Sequence, residues 1–171
     1  MLRFLERLSR GIDRLNFVVG RAVSWVTLLV VLVVFVDVVM RYAFNTSFVF
    51  TQELEWHLFA FIFLMGAGYT LLREGHVRVD IIYQRLDRKG RAWVDLAGVL
   101  VFLIPGCYLV LATSIPFVVS SYVSGEGSPD PGGIPYRFLI KSCIPAGFFL
   151  LLLQGLSMAI KALLVIGGRE G

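Results

Sequence analysis

An uninterrupted run of uncharged residues, 96–119, is the feature that most limits how this chain can fold. A helix needs about 20 apolar residues to cross the hydrocarbon core of a bilayer, and this run is long enough to do so. The whole chain agrees, because 57% of its residues are hydrophobic and only 16% are charged. Soluble domains carry about 25% charged residues. We therefore expect an integral membrane protein.

Three further apolar segments of similar length accompany this run. The predicted spans are residues 18–42, 53–72, 95–120 and 138–166, and a charged loop, 73–91, separates them into two hairpins. Asn45-Thr46-Ser47 has turn chemistry and predicts a short connection within the first hairpin. The expected fold is an all-α membrane protein with four transmembrane helices, in which residues 1–171 form a single integral membrane domain.

The distribution of cations predicts the orientation of these spans. Thirteen of the sixteen Lys and Arg residues lie in the N-terminal segment, the central loop or the C-terminal segment. The other three, Arg41, Arg137 and Lys141, lie near the remaining connections. Because loops rich in Lys and Arg stay in the cytoplasm, both termini and the central loop are predicted to be cytoplasmic. The connection 124–136 has three prolines, four glycines and no Lys or Arg, which predicts an external loop of defined shape.

The N-terminal segment, residues 1–16, allows two interpretations. Leu5, Leu8, Ile12 and Leu15 recur at helical spacing with arginines between them, which is typical of an amphipathic helix lying on the membrane surface. The segment could equally be a basic flank of the first span. Both interpretations place it in the cytoplasm.

Ionisable residues near the ends of the first two spans are candidate interface residues. Asp37 and Arg41 are four apart and can pair on one helix face, either as a neutralised pair at the interface or with Asp37 facing a partner helix. Thr51 is a candidate N-cap, which would place Glu53 and Glu55 in a first turn where the helix dipole favours acids.

Glu53 also shares a helix face with His57. These two side chains could bond a partner subunit, but they are too few for a closed metal site.

Other polar and small residues predict helix packing. Arg137 and Lys141 either extend to lipid phosphates or meet acids of a partner, and we favour the first interpretation. Gln154 is expected to make a hydrogen bond between helices, and Gly66 and Gly68 allow a neighbouring backbone to approach. Pro105 and Pro116 predict structural kinks in the third span.

Several classes of function lack their sequence features. The basic residues flank hydrophobic runs and form no basic and aromatic face, so no nucleic acid is expected as a partner. No arrangement of nucleophile, base and acid suggests an enzyme, and no cofactor or metal is expected. His57 and His76 would lie about 28 Å apart along one helical path, too far to share a haem within one chain. A membrane anchor of a redox complex with an intersubunit haem remains an alternative, as does a stand-alone structural membrane protein.

A set of short motifs carries a family resemblance. The segments are Arg41-Tyr42, Asn45-Thr46-Ser47-Phe48, Glu53-Leu54-Glu55, Gly66-Ala67-Gly68-Tyr69 and Arg73-Glu74-Gly75-His76-Val77-Arg78-Val79-Asp80. With them the chain resembles the small membrane subunit of tripartite ATP-independent periplasmic (TRAP) transporters, the DctQ-like family. Phe50 stands where Trp is frequent, and Glu53 and Glu55 are separated where adjacent acids are common. Which of the two matches the family position is therefore open.

This resemblance implies a subunit of the bacterial inner membrane that supports a large DctM-like membrane subunit. With a periplasmic substrate-binding protein, the complex would import organic anions such as carboxylates, including 2-oxo acids, driven by sodium. Membrane lipids are further expected partners. The candidate interface and motif residues are Asp37, Arg41, Glu53, Glu55, His57, Gly75, His76, Arg78 and Asp80. The candidate contacts for the binding protein are Asp130, Pro131, Gly132, Gly133 and Arg137.

Overall fold

The computed structural model describes residues 2–73, 83 and 85–168, except for the side chain of Leu2. Its helices are α1 (Leu2–Ala43), α2 (Val49–Leu72), α3 (Arg88–Gly98), a π-helical turn (Val99–Leu103), α4 (Ile104–Val123) and α5 (Phe138–Ile166). The π-turn joins α3 to α4 in one helical path. Within the described residues, four helical stretches are long and apolar enough to cross a membrane. The predicted all-α fold with four spans is confirmed.

The N-terminal segment is the first part of α1 and not a separate interfacial helix. α1 runs for 42 residues without a break, about 63 Å. No proline precedes residue 105, so nothing in the sequence forces the helix to end between the segment and the span. Ser9, Ile12 and Asn16 are buried, whereas Leu8 and Leu15 are exposed. The face of the segment that packs within the chain is therefore largely its polar face.

Helix α2 begins earlier than predicted. Its first residue is Val49, and its N-cap, Phe48, makes no side-chain capping bond. Thr51 is not the N-cap: it lies inside the first turn, where its hydroxyl donates to the carbonyl of Phe48. Asn45, at φ 50°, forms the predicted tight turn. Because this turn is short, α2 can begin four residues later, at Val49. Glu53 is thus the fifth residue of α2, and the helix dipole does not explain it.

The third span also starts earlier than predicted. Asp87 caps α3 by accepting a hydrogen bond from the backbone N–H of Gly90 at 2.9 Å, so residues 88–91 are helix and not loop. At the π-turn, the N–H of Ile104 donates to the carbonyl of Val99, five residues back. Pro105 follows directly. The proline ring has no N–H to donate and would clash with the preceding helical turn. The π-turn contains one more residue than an α-helical turn, and this extra residue relieves the clash.

Helix α5 is the central helix of the fold. It packs against α1, α2, α3 and α4, while α1 and α2 pack against each other as a hairpin. Helix α3 and the π-turn pack on α5 through a buried apolar cluster, in which alanines allow a close approach. The buried members of this cluster are Ala92, Leu96, Val99, Ala159 and Ala162. Large apolar side chains such as Trp25, Phe63 and Phe102 remain exposed on the outside. This apolar exterior suits a chain surrounded by lipid or by another membrane subunit.

Candidate functional site

Asp37 links α1 to α2. It is 3% exposed and accepts hydrogen bonds from Arg41 at 2.5 Å and from the Thr51 hydroxyl at 3.0 Å. The expected pair with Arg41 is present, and the neighbouring helix that Asp37 faces is α2 of the same chain. The carboxylate therefore fixes one end of the α1–α2 hairpin.

Glu53 binds the loop between α4 and α5, residues 124–137, which we call the Pro/Gly loop. Glu53 is 5% exposed, and its carboxylate accepts three hydrogen bonds from that loop. The donors are the Ser128 hydroxyl at 2.6 Å, the Ile134 N–H at 2.5 Å and the Arg137 guanidinium at 3.0 Å. We call these four residues the loop clamp. Because the donors lie 75 to 84 residues further along the chain, the clamp ties α2 to the second half of the protein.

Glycines let the Pro/Gly loop fold onto the clamp. A Cβ at Gly133 would lie 2.6 Å from Glu53 Oε2 and 2.3 Å from Ser128 Oγ, which leaves no room for a side chain. The N–H of Gly133 donates to the carbonyl of Asp130 at 3.1 Å, and Gly132 has φ +82°. Pro131 followed by a glycine at positive φ is typical of a type II turn. The turn leaves Asp130, Pro131 and Gly132 exposed at the tip of the loop.

The two cations at the start of α5 bind acids of their own chain. Arg137 pairs with Glu53, and Lys141 donates to Glu126 of the Pro/Gly loop. The Lys141 ammonium holds the pKa of Glu126 below its ordinary value. Both cations thus have acidic partners within the chain, whereas lipid phosphates or acids of a partner were expected; those further contacts stay predictions.

The structure describes the surroundings of Glu55 and His57 within the chain, and their role at a subunit interface stays a prediction. His57 Nδ1 lies 2.6 Å from the backbone carbonyl of Glu53 and does not bond its carboxylate. Within the described residues, His57 Nε2 and Glu55 Oε1 are buried without a hydrogen-bond partner. In that same part of the chain, no three His, Cys, Asp or Glu residues are placed to hold a metal.

A second polar site, the polar cluster, joins the N-terminal half of α1 to α5. Asp13 accepts hydrogen bonds from Gln154 at 2.9 Å, Ser157 at 2.7 Å and Lys161 at 2.5 Å. Asn16 is 1% exposed and donates to Gln154 at 3.0 Å, while Ser9 and Ser157 share a hydrogen bond of 2.7 Å. The predicted interhelical role of Gln154 is confirmed. These contacts also show that α1 and α5 are antiparallel.

Sequence reasoning missed most of the polar cluster and two members of the loop clamp. Asp13 and Asn16 lie in a segment rich in arginine, which was interpreted by its charge alone. The polar residues of the two helices nevertheless recur at helical spacing: Ser9, Asp13 and Asn16 in α1, and Gln154, Ser157 and Lys161 in α5. These two polar stripes were the signal in the sequence from which the polar cluster could have been predicted. Ser128 and Ile134 show no periodic spacing of this kind. Gly75, His76, Arg78 and Asp80 of the central motif lie outside the described residues.

Comparison with known sequences identifies the family. Residues 30–164 match the profile of the DctQ component of tripartite ATP-independent periplasmic transporters. The chain belongs to this family. Its members are transporter components and not enzymes, and the family together with the four apolar helices indicates a multi-pass inner-membrane protein.

Two relatives show the same affiliation. Over 106 residues the chain is 30% identical to a protein of Haemophilus influenzae assigned as a TRAP transporter small permease protein, covering 61% of this chain and 65% of the relative. Over 127 residues it is 30% identical to the ectoine TRAP transporter small permease protein TeaB of Halomonas elongata, covering 74% and 64%. The match thus spans slightly less than two thirds of each relative. No solved structure matches the chain.

Proposed function

We propose that this DctQ-family chain is the small permease subunit of a sodium-driven TRAP transporter that imports organic anions, carboxylates among them. In this role it supports a large DctM-like subunit and presents a docking surface to a periplasmic substrate-binding protein. The observation that carries the proposal is the loop clamp. It uses a buried carboxylate to fix a loop, predicted to be external, whose tip, Asp130, Pro131 and Gly132, is exposed.

Three carboxylates are already bonded within the chain, which favours a scaffolding role for this subunit over a self-sufficient transport site. Asp37, Glu53 and Asp13 each accept hydrogen bonds from other parts of this chain. A carboxylate with its donors already in place stabilises the fold and is not available to coordinate sodium. The substrate and sodium sites are therefore assigned to the large subunit.

The experiment measures uptake of a labelled carboxylate by vesicles. One set contains this chain and the large subunit, with the binding protein added outside, and two other sets contain each membrane chain alone. We expect sodium-dependent uptake only from the complete system. Full uptake by the small chain alone would contradict the supporting role.

The docking surface is tested by reversing a charge at the loop tip. Asp130→Lys should reduce uptake that depends on the binding protein while the two membrane chains still co-purify. Lys89→Glu, an exposed charge reversal at the start of α3, is the matched control and should leave uptake near that of the parent chain. Equal losses in both variants would count against a contact at the loop tip.

The central motif provides a separate test of assembly. Asp80→Ala or Gly75→Val should weaken co-purification with the large subunit more than it changes substrate affinity, because the motif offers no substrate pocket in the sequence. Intact assembly with altered affinity would contradict this assignment.

A further inference from the structure

Helix α4 carries a tyrosine on its outer surface, in the middle of the third span. Tyr108 is 72% exposed, whereas the side of the helix that carries Cys107, Ser114 and Ser121 is buried against the rest of the chain. Tyr108 is the thirteenth residue of the uncharged run 96–119, so about 16 Å of helix or more separates it from each end of that run. This distance is greater than the reach of a tyrosine side chain.

Contacts between α4 and α5 agree with this depth. A Cβ on Gly155 would lie 2.4 Å from Leu103 Cδ2, and Lys141 Nζ lies 4.1 Å from the centre of the Phe117 ring. Because Tyr108 lies between Leu103 and Phe117, it is level with the uncharged part of α5 between Lys141 and Gly155. Both helices therefore place the Tyr108 hydroxyl within the hydrocarbon core.

The Tyr108 hydroxyl has no hydrogen-bond partner among the residues that the structure describes. A threonine hydroxyl can bond a carbonyl of its own helix, as Thr113 does with Leu109 at 2.9 Å, but a tyrosine hydroxyl lies too far from its own backbone. Hydrocarbon supplies no partner either, and an unbonded hydroxyl in an apolar medium is unfavourable. Tyrosine is for this reason frequent at the membrane surface and not at its centre. A lipid neighbour therefore does not suit this hydroxyl.

The other tyrosines of the described helices have different surroundings. Tyr42 and Tyr122 each lie next to the last residue of a helix, where water and lipid headgroups can bond them. The hydroxyl of Tyr69 accepts a hydrogen bond from Arg73 at 3.2 Å. The position of Tyr108 is therefore not a general property of the tyrosines in these helices.

The surface around Tyr108 consists mostly of small and polar groups. We define the α4 outer face as the exposed residues Pro105, Tyr108, Ala112, Thr113 and Pro116. Pro116 has no N–H, so the carbonyl of Ala112, four residues earlier, loses its usual donor. A Cβ added to the neighbouring Gly106 would have no atom of this chain within 4 Å. Small residues let two membrane helices approach closely, and polar groups form hydrogen bonds between them, so this face has the composition of a helix-packing surface.

The exposed surfaces of α1 and α2 have a different composition. Their most exposed side chains within the spans are large and apolar, among them Phe35, Phe59 and Phe63. Such side chains suit lipid acyl chains, which are equally apolar. Within the described residues, the α4 outer face is therefore the surface that best fits another protein inside the membrane.

We propose that the α4 outer face packs against a transmembrane helix of the large DctM-like subunit, and that the Tyr108 hydroxyl bonds a carbonyl or a polar side chain of that helix. The inference rests on the proposed function and adds to it the surface that joins the two membrane chains. The partner helix should carry small residues at the contact and a hydrogen-bonding group facing Tyr108.

The first test measures the association of the two membrane chains in liposomes, by Förster transfer between labelled chains at increasing dilution with lipid. Tyr108→Phe removes only the hydroxyl and should weaken association about threefold, the effect of one hydrogen bond between helices. Tyr122→Phe makes the same change at the end of the same helix and should match the parent chain. The melting temperature of the isolated Tyr108→Phe chain should stay unchanged, which separates a lost contact from a damaged fold.

A bulky substitution tests the packing of the same face. Ala112→Trp fills the space that the partner helix would occupy and should weaken association about tenfold. Ala22→Trp adds the same side chain at an exposed position of α1 and should leave association near that of the parent chain. Association of Tyr108→Phe and Ala112→Trp equal to that of their controls would refute the contact.

A photoreactive amino acid at position 108 identifies the neighbour directly and does not depend on the folding of the variants. In membranes that contain both chains, we expect cross-links to the large subunit. Cross-links only to lipid or to a second copy of this chain, with sodium-dependent uptake intact, would overturn the α4 outer face as the contact and leave the proposed function standing. If the two membrane chains do not co-purify at all, both the contact and the proposed function are wrong.

Discussion

At the scale of single residues, the carboxylate of Glu53 alone binds three donors of the Pro/Gly loop. A buried carboxylate is unfavourable unless it is bonded, and here three donors converge on it from a loop that has no regular secondary structure of its own. The loop in turn gains a fixed shape from a residue in another helix. Loss of the charge would therefore affect the loop more than it affects α2.

Glu53→Gln should release the Pro/Gly loop. It removes the ion pair to Arg137 and one of the acceptor sites, so we expect a melting temperature several degrees lower and faster cleavage by trypsin after Arg137. Glu55→Gln is the control, since Oε1 of that carboxylate has no hydrogen-bond partner among the described residues. Equal protease resistance in the two variants would show that the clamp does not hold the loop.

Gly68 is required by the close approach of α1 and α5 to α2. An added Cβ would lie 2.1 Å from Asn16 Oδ1 and 3.2 Å from the carbonyl of Leu150, so Gly68→Ala should destabilise the chain by about 1–3 kcal/mol. At Gly66 the nearest atom would be 3.9 Å away, on Val23, so Gly66→Ala should be neutral or stabilising. Thermal unfolding in detergent measures both. A Gly68→Ala chain as stable as Gly66→Ala would contradict the packing argument.

At the scale of elements, the polar cluster determines the position of the N-terminal half of α1. That half packs on α5 through Ser9, Asp13 and Asn16. Its apolar side chains Leu8 and Leu15 stay exposed. Hydrogen bonds and an ion pair, more than apolar burial, hold this part of the helix.

Asp13→Ala should loosen the N-terminal half of α1 while leaving the span intact. It removes three contacts with α5, and at about 0.6 kcal/mol for each interhelical hydrogen bond the loss is about 2 kcal/mol. Hydrogen exchange should rise in residues 3–16 and stay unchanged in residues 30–43. The exposed neighbour variant Arg14→Gln should match the parent chain, and uniform exchange across α1 would show that the cluster does not act locally.

The contact between the Pro/Gly loop and α5 should depend on pH. Lys141 lowers the pKa of Glu126 from its ordinary value of 4.5, so the pair stabilises the folded chain above that pH. This stabilisation is lost as the pH falls through the lower pKa of the folded state. Glu126→Gln should therefore melt below the parent chain at pH 7, and the difference should vanish in stronger acid. Asp130→Asn, at the exposed tip of the same loop, should follow the parent chain, and a constant difference for Glu126→Gln at all pH values would contradict the role of the charge.

At the scale of the whole molecule, α5 connects all the other helices. One of its ends binds α2 through the loop clamp, and its other half binds α1 through the polar cluster. Both polar sites therefore stabilise the same arrangement of helices. The helices therefore hold their arrangement through contacts within the chain, as the proposed supporting role requires.

The predicted orientation can be measured by cysteine labelling. In a background of Cys107→Ala and Cys143→Ala, Ser124→Cys should react with an impermeant maleimide on intact spheroplasts. Lys89→Cys, also exposed, should react only after the membrane is permeabilised. The expectation follows from the excess of Lys and Arg on the side of residue 89. The reverse labelling pattern would show that the termini are not cytoplasmic.

Much of this architecture follows from local sequence patterns. The number of spans depends on the length of uninterrupted apolar runs, and the tight turn at Asn45 depends on a residue that tolerates positive φ. Asp37 and Arg41 pair because they are one helical turn apart. Each of these features is determined by residues within about one helix length, and each could be predicted from the sequence.

Only the tertiary structure decided which distant groups meet. Glu53 and Arg137 were both recognised as candidates, but with a helix dipole and a lipid phosphate as their partners. The two residues lie 84 positions apart, and no local pattern indicates their contact. Asp13 and Lys161 lie 148 residues apart, and their contact required two helices to pack antiparallel. Local patterns determine helices, whereas the pairing of buried charges depends on where the packed helices bring their side chains.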